Sequence, residues 1–228
     1  MICITGDTHS GMARIHNISV QQELTDNDCL IISGDFGFIF YDSYGERLIL
    51  DLLSGMPCKI LFVDGNHENF SAIFRYPVEI WNGGRVHKIR NNIYHLMRGQ
   101  VFEIDGKKIF TMGGAFSVDR AYRQLNISYW NEEIPSAEEM EEARRNLERH
   151  NNKVDYIITH TVPSSVKLLM GFEVSDNHEE DADFTDFLDE VREKVCYKKW
   201  FAGHYHMNKI VSPSDNIIVL YEGVQFLD

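Results

Sequence analysis

One figure recurs along this chain and constrains it more than any other. A short apolar run stops, usually at a glycine, and hands over to a carboxylate, a carboxamide or an imidazole. Ile2 to Thr5 leads into Gly6-Asp7-Thr8-His9, and Cys29 to Ser33 leads into Gly34-Asp35. Lys59 to Val63 leads into Asp64-Gly65-Asn66-His67-Glu68, Val154 to Thr159 into His160, and Trp200 to Ala202 into Gly203-His204-Tyr205-His206. Runs this short and this continuously apolar read as strands buried on both faces. Each delivers polar groups just beyond its C-terminal end, the edge at which open α/β sheets bind ligands. A glycine before the key residue suits a sharp strand-to-loop turn.

The connecting segments complete an α/β pattern. Met12, Ile15 and Leu24 mark an amphipathic stretch after the first run. After the second, Glu46 to Gly55 reads as a helix with Leu48, Ile49, Leu52 and Leu53 on one face, ended by Gly55 and Pro57. Strands alternating with helices imply βαβ units and a parallel sheet. From about Val78 to Gly113 the pattern turns β-rich, with strands expected at Val86 to Ile89, Ile93 to Met97, Gln100 to Ile104 and Lys108 to Met112. Asn91-Asn92 and Asp105-Gly106 supply turns. These strands suggest a second, mostly antiparallel sheet. Residues 116–150 read as a helical insertion, with a Ser136/Glu139 capping box and a Met140, Ala143, Leu147 stripe. An acidic segment from Glu173 to Asp183, expected to be a solvated loop, precedes a helix striped by Phe184, Phe187, Leu188 and Val191. With no Pro/Gly/Ser-rich linker and no repeat, residues 1–228 are expected to form a single domain.

The formal net charge of -13 argues against a stand-alone nucleic-acid partner. Cys3, Cys29, Cys58 and Cys196 form no CxxC pair and read as buried, reduced thiols, pointing to a cytoplasmic protein. No apolar run approaches the roughly 18 residues of a membrane span, and the first residues read as a strand rather than a signal peptide.

The residues at the strand ends are carboxylates, imidazoles and one carboxamide, without a thiolate. That set suits Mn, Fe, Zn or Co better than a structural cysteine-zinc site. Seven such side chains are too many for one ion and enough for two that share a bridging carboxylate. The order Asp-x-His, Gly-Asp, Gly-Asn-His-Glu, His, Gly-His-x-His, running from Asp7 to His206, resembles the signature of calcineurin-like metallophosphoesterases. Gly-Asn-His-Glu and Gly-His-x-His are its specific parts; the other three signals are weak singly.

The resemblance implies two mixed β-sheets packed face to face and flanked by helices, a four-layer αββα sandwich. It implies two divalent metal ions, Mn, Fe or Zn, with Asp7, His9 and His206 on the first, Asn66, His160 and His204 on the second, and Asp35 bridging them. It implies hydrolysis of a phosphomonoester or phosphodiester by a metal-bridging hydroxide, with His67 protonating the leaving oxygen. The chain departs from the family in the apolar stretch Phe36-Gly37-Phe38-Ile39-Phe40 after Asp35 and in Thr161-Val162-Pro163 after His160.

Singly, each of these residues has an ordinary structural reading as a cap or surface group. Their joint order favours a site. Glu68 reads as the start of the next helix, and His16, His87, His95, His150 and His178 show no ligand spacing. Arg120 and Arg123, beyond Gly113-Gly114, are candidates to clasp a phosphate against the alternative of surface pairing with Asp119 or Glu132, and Tyr122 and Trp130 to stack on a base or fill a pocket. Competing functions are a nucleotide phosphodiesterase, a protein serine/threonine phosphatase, and a non-catalytic interaction scaffold. A scaffold is expected to lack His67 or several ligands, and this chain carries them all.

Overall fold

The computed structural model describes residues 1–172 and 178–228. Strands β1 (Ile2–Thr5), β2 (Cys29–Ile32) and β3 (Lys59–Phe62) pair in parallel, crossed over by α1 (Met12–Gln21) and α2 (Tyr44–Ser54). Beyond a short helix α3 (Phe70–Ile73) come β4 (Val78–Trp81), β5 (Gly84–Lys88), β6 (Ile93–Leu96), β7 (Gln100–Ile104) and β8 (Lys107–Met112). Helix α4 (Ala137–Arg149), β9 (Tyr156–Thr159), α5 (Ser164–Leu169), α6 (His178–Lys194), β10 (Lys199–Ala202), β11 (Lys209–Ser212), β12 (Ile217–Val219) and β13 (Val224–Phe226) complete the chain.

The strands form a seven-stranded sheet, β13-β1-β2-β3-β6-β5-β4, and a six-stranded sheet, β11-β12-β10-β9-β8-β7. Side-chain alternation explains the layering. Ile2, Ile4, Ile31 and Leu61 point between the sheets onto Ile109, Tyr156, Ile158 and Phe201. Cys3, Leu30, Ile32 and Ile60 point outward onto Ile15 and Ile18 of α1 and Leu50 and Leu53 of α2. On the far side Phe110, Ile157 and Trp200 meet Ala143 and Leu147 of α4 and Phe184, Phe187 and Leu188 of α6. The result is the expected four-layer αββα sandwich, and it explains why β1, β2 and β9 are buried along their whole length.

Several expectations are corrected. The β-rich stretch does not make a separate antiparallel sheet. β4, β5 and β6 extend the first sheet, where β6 pairs in parallel with β3, while β7 and β8 join the second, which has three parallel and two antiparallel pairings. Helix α2 turns Leu50 and Leu53 inward into the cluster with Leu30, Ile32 and Ile60 and leaves Leu48 and Leu52 exposed; it begins at Tyr44, after the Ser43/Glu46 capping box. Cys196 is exposed; Cys3, Cys29 and Cys58 are buried, and all four are free thiols. Of the acidic segment, 173–177 lie outside the described residues. Its end is helical, and Asp181 is buried against Lys167 (2.6 Å). The Ser136/Glu139 capping box is present at α4, and the Asp105-Gly106 hairpin turn has positive φ at both positions (51° and 70°).

Candidate functional site

β1, β2 and β3 of one sheet and β9 and β10 of the other end at a common edge, and their C-terminal residues meet there. His9 Nε2 lies 2.9 Å from His206 Nε2, 3.9 Å from Asp7 Oδ2 and 3.8 Å from Asp35 Oδ2. His206 Nε2 lies 3.1 Å from Asp7 Oδ2. Asn66 Oδ1 is 3.0 Å from His160 Nε2 and 3.0 Å from His204 Nδ1. His160 Nε2 is 3.5 Å from Asp35 Oδ1. All seven strand-end donors singled out in the sequence are thus brought together, from positions up to 199 residues apart in number (Asp7 to His206).

The backbone is bent to achieve this. His9, Asp35, His204 and His206 have φ of 44°, 49°, 70° and 48°. Such conformations cost non-glycine residues on the order of 1–3 kcal/mol each and concentrate at functional sites. The turn at Gly34 (φ +101°) admits no side chain, since a Cβ there would lie 2.0 Å from His160 Nδ1, and one at Gly203 would lie 2.2 Å from Asp7 Oδ1. Backbone amides aim the carboxylates. His204 N–H donates to Asp7 Oδ1 (2.9 Å), and His67 N–H to Asp35 Oδ1 (2.8 Å). From α1, Arg14 reaches back to the carbonyls of Asp7 and Tyr221 and to Thr5 Oγ1 (2.6 Å). Tyr221 in turn stacks on the His206 ring (4.5 Å between centroids).

The electrostatics are set by two buried carboxylates among imidazoles. Asp7 and Asp35 are both buried. Burial pushes the Asp7 carboxyl above its ordinary range, against the pull of His160. For Asp35 burial pushes the same way, but His160 and His67 prevail and hold it well below the carboxylate range. Burial lowers His160, yet Asp35 and Asp7 outweigh it and raise the ring to about 10. Burial, with the charge of His160, lowers His204 to about 3. His160 Nδ1 donates to Ser33 O (2.8 Å), while Nε2 faces the Asn66 and Asp35 oxygens, so both ring nitrogens carry protons. A divalent cation at Nε2 would take the place of one proton and satisfy the same oxygens. Ligand atoms of Asp7, His9 and His206, and separately of Asp7, Asp35 and His160, lie within 4.8 Å of one another, as chelation requires. The nitrogen and oxygen donor set fits Mn, Fe or Zn.

The segment after β8 closes the site from above. Ser117 Oγ accepts from Asn66 Nδ2 (3.0 Å), and Arg123 Nη2 lies 2.6 Å from His67 Nδ1 and 3.1 Å from Nε2. Burial lowers the His67 pKa; Asp35 opposes this and Arg123 adds to it. Both candidate arginines are ion-paired. Arg123 Nε donates to Asp119 Oδ2 (2.9 Å), the pairing offered as the alternative to a phosphate contact, and Arg120 pairs with the buried carboxylate of Glu133 (3.3 Å) and lies over the Phe116 and Tyr129 rings. Trp130 is buried, edge-on to Phe40 and donating to Ser71, whereas Tyr122 is 93% exposed.

Glu68 does not start a helix. It is buried, its Oε1 accepts the Phe36 amide (2.7 Å), and burial raises its pKa well above the ordinary value. Asn69 caps α3 instead, its Oδ1 accepting from Ala72 N (2.9 Å). Nothing in the sequence singles out Ser117, Arg14 or the Ser33 carbonyl; Ala115 and Phe116 separate Ser117 from Gly113-Gly114, so the end of β8 lacks the glycine-then-polar figure of the other strands.

No curated protein matches the chain in sequence. A solved structure of a protein of unknown function from Aquifex aeolicus is 18% identical over 72% of this chain and 79% of its own, with a TM-score of 0.34. The family model for calcineurin-like phosphoesterases matches residues 1–208, a span that includes every donor gathered at the sheet edge, and the chain belongs to that family.

Proposed function

We propose that the site binds two divalent cations and hydrolyses phosphate esters, with phosphomonoesters as the favoured substrates. Family membership supports a metal-dependent phosphoesterase in general. The observation that supports the finer reading is the convergence of seven donors at one sheet edge: His9 and His206 on Asp7, His160 and His204 on Asn66 Oδ1, and Asp35 beside both His9 and His160. Asp7, His9 and His206 would hold one cation, Asn66, His160 and His204 the other, with Asp35 shared. The bound pair supplies positive charge to the phosphoryl oxygens and acidifies water at neutral pH.

The remaining steps belong to the chain's own side chains. His67 stands beside the donors, its ring 5.5 Å from that of His9, and protonates the departing oxygen. Arg123, which can only donate, faces the His67 ring nitrogens. An anionic phosphoryl oxygen is the stronger acceptor for a guanidinium, so substrate draws Arg123 off and frees both His67 nitrogens. A monoester carries one more negative charge than a diester for that arginine to meet. Arg120 serves by bracing the loop through Glu133 rather than by touching substrate.

The test is metal analysis of the purified protein beside turnover of mono- and bis-nitrophenyl phosphate with added Mn. Two equivalents of metal with turnover favouring the monoester support the reading. Full metal occupancy with no turnover of either ester indicates a non-catalytic scaffold. Arg123→Met is expected to raise KM for the monoester about 10- to 100-fold, the worth of a charge-assisted hydrogen bond, with metal content unchanged. An unchanged KM removes Arg123 from the substrate site.

A further inference from the structure

Asn66 and His67 are neighbours in sequence with different proposed tasks, and one buried hydroxyl touches the contacts of both. Ser117 is 1% exposed. Its Oγ accepts from Asn66 Nδ2 at 3.0 Å and from Arg123 Nη1 at 3.4 Å, and Arg123 Nη2 reaches His67. Asn66, Ser117, Arg123 and His67 therefore close a ring of contacts over the site. Resting on the phosphoesterase reading, we propose that Ser117 is a positioning residue that sets which end of the Asn66 amide faces the second cation.

The argument turns on lone pairs. An amide presents an oxygen and an NH2 of nearly equal shape, and only hydrogen bonds decide which end points where. A serine hydroxyl alone does not decide it, because it both donates and accepts. Beside Arg123 its acceptor side is the one in use: the guanidinium, which has no acceptor, donates to Oγ at 3.4 Å, and the Asn66 N–H donates to the same oxygen at 3.0 Å. That second bond directs Asn66 Oδ1 toward His160 Nε2 and His204 Nδ1, where a cation would bind.

Ser117 is itself held. Its backbone N–H donates to Glu133 Oε2 (3.3 Å), and Glu133 also receives Arg120 Nε (3.3 Å) and the Trp130 amide (3.4 Å). Glu133 is fully buried, so the carboxylate that anchors Ser117 is fixed by the packing of the same segment. The insertion after β8 thus acts on the second cation through a single hydroxyl, without supplying a ligand to it.

Partners that orient a metal ligand are typically worth about 10–100-fold in metal affinity. Calorimetric titration of Mn2+ into the metal-free protein reads this directly. Ser117→Ala is expected to weaken one of the two sites by about 10–100-fold and leave the other unchanged, and Ser117→Thr, which keeps the hydroxyl, to bind as the wild type does. In an Asn66→Ala background, Ser117→Ala is expected to add no further loss. Ser117→Ala protein that takes both ions with wild-type affinity overturns the proposal, as does equal weakening of both sites. Wild-type protein that takes up no Mn2+ overturns the phosphoesterase reading itself, and with it this one. Melting of the metal-free variants is the folding control. If the alanine variant does not fold, Ser117→Thr against Ser117→Val, matched in volume, isolates the hydroxyl: weakening confined to valine supports the proposal, and equal affinities overturn it.

Discussion

Asparagine in place of His67 is expected to lower kcat for an alkyl phosphate by about 10²–10⁴-fold, the range for a lost general acid or base, while both cations stay bound. The separation follows from what each half of the residue does. The backbone N–H of His67 donates to Asp35 Oδ1 at 2.8 Å, and any residue at this position keeps that bond. The side chain faces Arg123, with Nδ1 2.6 Å from Nη2, and His9, with ring centroids 5.5 Å apart. Only proton delivery is lost. The defect should therefore grow with the basicity of the leaving oxygen, since a nitrophenolate departs nearly unaided and an alkoxide does not. Hydrolysis of a series of aryl and alkyl phosphates, with metal content measured on the same samples, checks it. A defect of equal size across the series rules out proton donation by His67, and loss of a metal makes it a ligand.

The donors of this site were legible in the sequence because of how they are displayed. Strands covered on both faces must be apolar throughout, so Ile2 to Thr5 or Trp200 to Ala202 stand out, and the first polar residue after each marks the shared edge. Sheet membership was not legible. Lys107 to Met112 and Ile93 to Leu96 have similar patterns, yet one pairs with β9 and the other with β3, a choice made by packing across the sandwich. The face of α2 was not legible because Leu48, Leu50, Leu52 and Leu53 offer two apolar stripes, and only packing on the sheet, where Leu50 and Leu53 join Leu30, Ile32 and Ile60, distinguishes them. The supporting groups were hidden for another reason. Arg14, Arg98, Ser117 and Glu133 are polar residues of ordinary type in unremarkable surroundings, and only their burial and partners give them a role.

Arg98 shows what such a hidden group is worth. It lies behind the site with its side chain 4% exposed, against Asp64 at 1%. Its Nε and Nη2 donate to Asp64 Oδ2 (2.8 and 2.5 Å), Nη2 also to Glu132 O (2.6 Å), and Nη1 to Glu139 Oε2 (3.1 Å). His95 Nε2 takes the other Asp64 oxygen at 3.0 Å, and His95 is paired through Nδ1 with His87 Nδ1 (3.0 Å). Asp64 precedes Gly65-Asn66, and its carbonyl accepts Gly114 N (2.9 Å) at the start of the segment that carries Ser117. One arginine therefore joins the end of β3, the insertion and the cap of α4. Arg98→Met is expected to cost about 3–5 kcal/mol of stability at neutral pH, because it strands a buried carboxylate rather than because the pair itself is strongly stabilising. The pH dependence gives the sign. Burial pushes Asp64 up, but Arg98 and His95 hold it well below the carboxylate range, so in the wild type its contribution is present above the unfolded value of 3.8 and is lost as pH falls. Without Arg98 burial prevails, the folded pKa rises above the unfolded one, and the carboxyl is tolerated only when protonated. The gap between wild type and variant should therefore be widest near about pH 7 and narrow toward about pH 4. Urea unfolding at both pH values measures it, and adding Asp64→Asn to Arg98→Met should recover more than half of the loss at neutral pH. A gap that is independent of pH, or a double variant no more stable than the single one, would place the cost of Arg98 in packing and not in the charge it covers.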